Sequence, residues 1–210
     1  MIHTIDRASE AEGAVLRAMF EARKRVFVDL LKWDVPVLGG AWELDQFDDN
    51  EAAYLVLSDG NGAHLASARL LQTTRAHILG NLFPELVDDD VPRGPQIREI
   101  TRFCLDRSLH AADRRRARDR LVSALATHAL AHGIERYTGV AEIGWFQQIQ
   151  TFGWRCAPLG KPRIVGGVML TALTIEIDDD TPALLAASGT WSASHAGSAS
   201  LPARAKELTS

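Results

Sequence analysis

The sequence predicts a single-domain α/β/α sandwich in which helices flank a mixed, mostly antiparallel central sheet. The chain has 210 residues, which is enough for one sizeable domain and too few for two comfortable ones. Segments of strand character alternate along it with segments of helical period. It lacks the glycine-rich strand-to-helix turn of a dinucleotide site or a P-loop, so neither nucleotide-binding fold is favoured.

The first predicted element is a helix that begins at a capping box, Ser9-Glu10-Ala11-Glu12. Behind the box, apolar residues recur at near-helical spacing, as one buried face requires: Val15, Met19, Ala22 and Val26. A long loop is expected over residues 31–49, because this segment contains Pro36 and two glycines and has no sustained period. Long loops on compact domains are often functional.

A β-hairpin is predicted after this loop. Residues 53–57 and 64–71 have strand character, and Asp59-Gly60-Asn61-Gly62 between them is a strong turn signal. Residues 72–95 contain three prolines and an acidic run. We therefore interpret them as an excursion before the next strand, 97–105.

The second half of the chain predicts further helices and strands in alternation. A helix over residues 114–132 ends at Gly133. A strand over 134–141 and a short helix over 143–152 follow. The apolar run 165–177 is either a last strand or a bent pair interrupted near its glycines.

The domain is expected to cover residues 1–180, and residues 181–210 are expected to form a mobile tail. Beyond Asp180 the chain turns to alanine, serine, glycine and threonine, with little apolar surface to bury.

Composition excludes several classes of protein. The net charge of −4 argues against a nucleic-acid binder, which usually carries a basic surplus. No stretch approaches the roughly 20 apolar residues that span a membrane, and no export signal is visible, so we expect a cytoplasmic protein. Cys104 and Cys156 lack a metal-ligand spacing. We expect no metal site and no cofactor.

Charged and aromatic residues concentrate in four short segments, 23–27, 32–34, 43–48 and 99–103, and Arg69 lies within an apolar strand. A part-buried arginine requires a charged partner. One interpretation is a set of salt bridges that pin a loop to the sheet edge. The other is a pocket for a zwitterionic ligand such as S-adenosylmethionine, with carboxylates, arginines and aromatic faces around it.

These segments resemble the shared blocks of the acyl-homoserine lactone synthases, whose fold is similar to that of GNAT-type N-acyltransferases. The family shows Arg-x-x-x-Phe followed by Trp, then Glu-Φ-Asp-x-Φ-Asp (Φ apolar), a strand arginine, and Glu-x-x-Arg-Phe. In this chain the blocks fall in order on Arg23, Phe27, Trp33, Glu43, Asp45, Asp48, Arg69, Glu99, Arg102 and Phe103. The match covers about the first half of the chain. The glycine that the family usually has before the tryptophan is Lys32 here.

The resemblance implies an acyltransferase that makes an N-acyl-L-homoserine lactone from S-adenosylmethionine and an acyl-carrier thioester, releasing methylthioadenosine. The methionine amine must lose a proton before it attacks the thioester, so a base is required. We expect Glu99 to be this base, with Glu43 as second candidate and Arg102 as a further catalytic residue. The implied substrate-binding residues are Arg23, Phe27, Trp33, Asp45, Asp48, Arg69, Thr101 and Phe103.

A β-bulge is predicted between Glu99 and Phe103. Residues three apart on a regular strand point to opposite faces, so Glu99 and Arg102 face one pocket only if a bulge intervenes. Bulges are common beside active sites, and GNAT-like folds are similar in having one where the acyl thioester docks.

Two further regions each leave two interpretations open. Apolar residues at helical spacing, Trp145, Phe146 and Ile149, are either ordinary core or the lining of the acyl pocket that the resemblance implies, and Thr138 on the preceding strand is assigned to the same pocket. A basic run in the second long helix is either a solvated face or a docking site for an acidic acyl carrier protein; it includes Arg114, Arg115, Arg116 and Arg118.

The alternative function is a GNAT-like N-acyltransferase that uses acyl-coenzyme A and a different amine. The sequence leaves open the length and oxidation of the acyl chain, the choice between carrier protein and coenzyme A, the oligomeric state and the role of the tail.

Overall fold

The computed structural model describes residues 1–5 and 12–192. An eight-stranded sheet forms its centre. Its strands are β1 Ile2–Ile5, β4 Ala53–Ser58, β5 His64–Gln72, β6 Ile97–Leu105, β7 Arg136–Glu142, β8 Arg155–Pro158, β9 Arg163–Val165 and β10 Val168–Glu176. They are arranged in the order β1-β4-β5-β6-β7-β10-β8, with β9 paired to β10. A separate two-stranded ribbon pairs β2 (Val37–Leu38) with β3 (Trp42–Glu43). The pairing is antiparallel except between β6 and β7, which run parallel.

Helices cover both faces of the sheet, which confirms the predicted α/β/α sandwich. They are α1 Gly13–Arg23, α2 Ile78–Leu82, α3 Ala111–His132, α4 Ile143–Gln150 and α5 Thr181–Ala187. A π-helical segment, Lys24–Leu30, continues α1, and a 3₁₀ turn, Pro84–Leu86, follows α2. Helices α1 and α2 pack on one face, here called the charged face; α3, α4 and α5 pack on the other, the apolar face.

The core divides in the same way. The larger apolar cluster lies between the sheet and α3 to α5, and includes Leu121, Tyr137 and Leu173. Side chains alternate along each strand, so the neighbours of Leu173 on β10 point to the charged face. There Ala172 packs against Leu79 of α2.

Several elements were not predicted from the sequence. Strands β1 and β8 lie at the two edges of the sheet, and α2 lies within the excursion 72–95. The apolar run 165–177 is a bent pair, because Gly166 and Gly167 adopt positive φ angles of 59° and 84° and form the turn between β9 and β10. Residues 9–11 of the predicted capping box lie outside the described part of the chain.

The folded domain extends beyond residue 180. The segment assigned to the tail begins with α5, whose Leu185 is fully buried in the main cluster. Thr190 is also buried, and Ser123 of α3 accepts a hydrogen bond from the backbone N–H of Ser192. The boundary at 180 is therefore corrected to at least 192, and residues 193–210 lie outside the described part. No helix in 1–5 or 12–192 is both long and apolar enough to cross a membrane.

Strands β6 and β7 separate part-way along their length. Their parallel register ends at the pair Glu99–Thr138. Just beyond it, a Cβ on Gly139 would lie 3.2 Å from the carbonyl oxygen of Ile100, so the backbones still approach closely at this point. Strand β6 runs on to Leu105 and β7 to Glu142, beyond the end of their shared ladder.

Candidate active site

The predicted β-bulge is present in β6. Arg69 of β5 faces Thr101, whereas Ser67 faces Cys104, so the register shifts by one residue between them. Arg102 adopts a left-handed φ of 48°, which residues other than glycine rarely adopt. The bulge turns the side chain of Arg102 to the charged face, where Glu99 and Thr101 already point. The structure confirms that motif residues three apart share one face.

A linked network of three arginines and three carboxylates lies beside the bulge. Arg23, at the end of α1, donates from Nε to Glu43 at 2.6 Å and in bidentate fashion to Asp48 at 2.8 Å for both bonds. Arg69 donates to both oxygens of Asp45 at 2.7 and 3.1 Å, and also lies 2.8 Å from Asp48.

Arg102 closes the network at its outer end. Its Nη2 lies 2.9 Å from Glu43 and 2.7 Å from Asp45, and its Nε also donates to Glu43. In the described part of the chain these bonds use Nε and Nη2, and Nη1 takes no part in them. The charges of the three arginines and three carboxylates balance, which burial in a low-dielectric site requires.

Burial separates the network into an inner and an outer part. The side chains of Arg23, Arg69 and Asp48 are at most 1% exposed, whereas Arg102 is 9% and Asp45 7% exposed. Burial alone raises the pKa of Asp48, but the guanidinium groups of Arg23 and Arg69 outweigh it and hold the pKa well below its ordinary value. The outer residues of the network, Arg102 and Asp45, are therefore the more accessible to solvent, and the inner ones hold them in place.

Phe27 and Trp33 lie over the outer end of the network. Their rings stack with centroids 4.7 Å apart at 19°, and the Cζ atom of Arg102 lies 5.6 and 5.7 Å from the two centroids. The π-helical segment places Phe27, and the N–H of Trp33 donates to the Phe27 carbonyl at 2.8 Å. Lys32 has a φ of 60° between them, a conformation that favours the glycine usual in the family.

Glu99 is hydrogen-bonded to backbone N–H groups of α2, and the charge of Arg69 also acts on it. It is fully buried, and its two oxygens accept hydrogen bonds from the backbone N–H groups of Ile78 and Leu79, both at 2.8 Å. Burial raises its pKa to about 7, against the lowering effect of those two bonds. Glu43, by contrast, has both oxygens bonded to Arg23 and Arg102. A carboxyl group with a pKa near neutrality suits a general base, so the geometry favours Glu99 over Glu43.

The four predicted acyl-pocket residues do not share one face. Thr138 pairs in register with Glu99 and points with it to the charged face, and its buried hydroxyl has no hydrogen-bond partner within the described residues. Phe146 and Ile149 of α4 are buried in the main cluster on the apolar face, and Trp145 packs against that cluster. The structure does not bring these two groups together on one surface.

The basic run is partly used within the protein. Arg114 donates to the carbonyl of Asp106, and Arg118 pairs with Asp119 and lies 4.9 Å from the centroid of Phe152. Arg115 and Arg116 are exposed, and Arg116 pairs with Asp113 on the same helix. Of these four arginines, Arg115 and Arg116 are therefore the exposed ones, while Arg114 and Arg118 are half-buried.

Sequence reasoning missed two parts of the site. Tyr54 donates its hydroxyl to Asp48 at 2.9 Å; the signal was available, because the hairpin turn sets a register in which Tyr54 faces Arg69. The N–H groups of α2 that bind Glu99 had no sequence signal, since their segment shows no period. Within residues 1–5 and 12–192, no cluster of three or more histidine, cysteine or acidic residues could hold a metal ion.

Comparison with known proteins agrees with this geometry. A family model described as autoinducer synthase matches residues 7–184. An acyl-homoserine-lactone synthase from Ralstonia nicotianae is 32% identical over 193 residues, which cover 90% of this chain and 93% of that protein.

Solved structures agree as well. The CoA-dependent acyl-homoserine lactone synthase BjaI, in its structure with SAM and isopentyl-CoA, has a TM-score of 0.78 at 27% identity, over 90% of this chain and 89% of that one. A putative N-acetyltransferase from Lactobacillus plantarum has a TM-score of 0.56 at 17% identity, over 84% and 99% of the two chains. This last likeness shows that the fold is GNAT-like. The chain belongs to the autoinducer synthase family and is an enzyme of the acyl-homoserine-lactone synthase type.

Proposed function

We propose that this enzyme joins the methionine part of S-adenosylmethionine to an acyl group carried as a thioester, and releases an N-acyl-L-homoserine lactone and methylthioadenosine. One observation carries the proposal: the balanced charge network ends at the β6 bulge, where Arg102 and Asp45 lie beneath Phe27 and Trp33. A zwitterion with a sulfonium group matches this surface. SAM is also bound in the solved relative BjaI.

The binding roles follow from charge and exposure. Arg102 meets the methionine carboxylate through Nη1, and Asp45 meets the ammonium group. Phe27 and Trp33 cover the sulfonium and the adenosyl group, because aromatic faces attract cations. Arg23, Arg69 and Asp48 hold this outer layer in position, with Thr101 fixing Arg69 by a hydrogen bond of 2.9 Å.

The acyl transfer step needs a base. Glu99 removes a proton from the methionine ammonium, directly or through a water molecule, and the free amine attacks the thioester carbonyl. The new C–N bond replaces the C–S bond, and the thiolate leaves with a proton to become the free carrier thiol. A carboxyl group with a pKa of about 7 can accept this proton and release it again at neutral pH.

Lactone closure needs orientation rather than a second base. A carboxylate oxygen of the methionine part attacks the carbon attached to the sulfonium, and the C–S bond breaks to release neutral methylthioadenosine. The ligand must be folded for this attack, and packing beneath Phe27 and Trp33 enforces such a conformation.

We propose an acyl carrier protein as donor. Arg115 and Arg116 are exposed at the start of α3, and acyl carrier proteins are acidic, so charge favours their encounter. BjaI is CoA-dependent, which makes acyl-coenzyme A the competing donor. S-adenosylmethionine and acyl-loaded carriers occur in the cytoplasm, so we propose that the reaction takes place there. We propose no cofactor beyond the substrates.

The test is product analysis by mass spectrometry, with purified protein, S-adenosylmethionine and a panel of acyl-carrier and acyl-coenzyme A thioesters. We expect an acyl-homoserine lactone and an equal amount of methylthioadenosine. Preference for one donor class decides between the carriers. Folded protein that releases no methylthioadenosine with any donor would overturn the proposal and favour a GNAT-like N-acyltransferase that acts on a different amine.

A further inference from the structure

Helix α2 is a single short turn that holds Glu99. It has five residues, Ile78–Leu82, and isolated helices shorter than about 12 residues are marginal in water. It packs on β6 and β7, and the side chains of Ile78 and Leu79 are buried. The backbone N–H groups of these two residues bind the Glu99 carboxylate, each at 2.8 Å. The direction of the two N–H groups therefore depends on what fixes the first turn of α2.

Asn81 closes this turn from its solvent side. The side-chain Oδ1 of Asn81 accepts a hydrogen bond from the backbone N–H of His77 at 3.0 Å. The backbone N–H of Asn81 donates to the His77 carbonyl, also at 3.0 Å. The two residues are thus joined twice, and Ile78 and Leu79 lie within the ring that these bonds close. Asn81 itself is exposed.

His77 anchors the beginning of the turn. It is fully buried, and its Nδ1 donates to the Arg75 carbonyl at 2.8 Å. A Cβ on Gly80 would lie 2.6 Å from Cε1 of the His77 ring and 2.6 Å from Nη2 of Arg93, so glycine at this position lets the ring pack against α2. Because the ring is fixed, the bond between Asn81 and the His77 N–H determines where the turn begins.

We infer that Asn81 is a positioning residue: it fixes the first turn of α2 so that the backbone N–H groups there point at Glu99. The inference rests on the proposed function, in which Glu99 is the base. Without the Asn81 side chain the N–H of the buried His77 loses its acceptor, which is unfavourable. The turn is then free to shift, and its N–H groups bind the carboxylate less well.

Loss of the Asn81 bond changes the pKa of Glu99 in a defined direction. Hydrogen bonds from the two N–H groups stabilise the carboxylate and lower the pKa, against burial, which raises it to about 7. The other facing groups are Arg69 on β5, which also lowers the pKa, and Thr138 on β7, which carries no charge; α2 contains no titratable residue. The apolar side chains of α2 are unchanged in an Asn81 variant, so Glu99 stays buried while its hydrogen bonds weaken. The pKa of Glu99 therefore rises.

The experiment follows the ionisation of Glu99 by NMR in the full-length, isotope-labelled protein. The amide signals of Ile78 and Leu79 should titrate with Glu99, because these N–H groups bind its carboxylate. Burial lowers the pKa of His77 below its ordinary value, and Glu99→Gln should abolish the Glu99 titration and so identify it. We expect a midpoint near pH 7 in the unaltered protein and a midpoint about one pH unit higher in Asn81→Ala.

The same shift is expected in catalysis. At about pH 6, kcat/KM for S-adenosylmethionine should be about tenfold lower in Asn81→Ala than in the unaltered protein, and at about pH 8.5 the two should agree within about twofold. A loss confined to low pH distinguishes positioning of the base from general damage to the fold, which lowers kcat/KM at every pH.

Two further variants serve as controls. Leu82→Ala is the matched control, because Leu82 is 48% exposed on the same helix and its side chain offers no acceptor to His77; we expect no shift. Asn81→Asp is the conservative variant, because it keeps an acceptor oxygen at the same position. Its charge is exposed and screened at about 0.2 M salt, so the midpoint should return close to that of the unaltered protein.

The outcomes separate this inference from the proposed function. The positioning role is refuted if the midpoint in Asn81→Ala is unchanged or moves to lower pH, if Leu82→Ala shifts it equally, or if Asn81→Asp fails to restore it. In each of these cases the function stands. Absence of methylthioadenosine from the unaltered protein with every donor refutes the function itself, whatever the titration shows.

Discussion

The charged and apolar faces of the sheet carry opposite chemistry beside the bulge in β6. On the charged face, three arginines and three carboxylates bind one another, and the inner members are at most 1% exposed. On the apolar face, Phe103 and Trp145 meet by ring contact alone and stay half-buried. A buried charge that loses its partner is costly, whereas an aromatic contact can be replaced by another of similar volume. The first arrangement therefore tolerates little substitution, and the second tolerates replacement by side chains of similar volume.

The largest effect is expected from removing an inner charge. Arg69→Met leaves Asp45 and Asp48 buried with one partner fewer, so we expect a loss of about 3–5 kcal/mol in the free energy of unfolding and no detectable activity. Denaturant unfolding measures the loss. Arg75→Met is the matched control, because Arg75 pairs with Asp49 and Glu51 while 51% exposed; it should change stability by no more than about 1 kcal/mol. Equal losses in the free energy of unfolding for the two variants would show that the charge network is not the stabilising element.

The next largest effect concerns Glu99, the proposed base. Burial raises its pKa to about 7, so its carboxylate form is lost as the pH falls below that value. We expect kcat/KM to fall tenfold for each pH unit below about 7. Glu99→Gln should lower kcat/KM by about 10²–10⁴-fold and remove this acidic limb, as a pH series on both proteins will measure. If kcat/KM of the variant still fell at acidic pH in the same way, the base would be another group.

A smaller effect is expected at the aromatic cover. Trp33 is 37% exposed, so Trp33→Ala should lower the free energy of unfolding by only about 1 kcal/mol, through the lost ring contacts with Phe27 and Arg102. It also removes the aromatic face that is proposed to cover the sulfonium, a contact worth about 1–2 kcal/mol. Binding of S-adenosylmethionine should weaken about tenfold, as calorimetry of the free enzyme will show. An unchanged affinity for S-adenosylmethionine would show that Trp33 is not part of the ligand site.

The smallest effect concerns the backbone between the two rings. Lys32 is exposed and adopts a φ of 60°, which costs a residue with a Cβ about 1–2 kcal/mol. Lys32→Gly relieves this cost but adds entropy to the unfolded chain. We expect a net gain of about 0.5–1 kcal/mol in thermal unfolding experiments. Lys24→Gly, within the π-helical segment, should destabilise instead.

Sequence patterns predicted most of the central sheet, because strands there are set by local signals. The Asp59–Gly62 turn fixed the hairpin, and glycine at position 133 ended α3 with a left-handed φ of 63°. The edge strands β1 and β8 were missed, since four-residue strands carry too little alternation to stand out. Helix α2 was missed for the same reason: five residues do not define a period.

The motif residues were predicted as a group, but their individual partners were not. Spacing placed the carboxylates of segment 43–48 near arginines. It did not show that Asp48 binds Arg23 and Arg69 while Asp45 binds Arg69 and Arg102. These ion-pair partners lie 20 to 60 positions apart in the sequence. Their pairing depends on how the loop folds onto the sheet, and no local sequence pattern encodes that.

The sequence by itself determined the fold class, the motif set and the need for a bulge, because each depends on residue type and short-range spacing. Only the tertiary structure decided which residues of the motif set are buried and which are accessible. Burial placed Arg23 and Arg69 inside and Arg102 at the rim, left Glu99 with a pKa near neutrality, and put Thr138 and Trp145 on opposite faces of one sheet. Exposure and local dielectric arise from contacts among distant segments, so they exist only once the chain has folded.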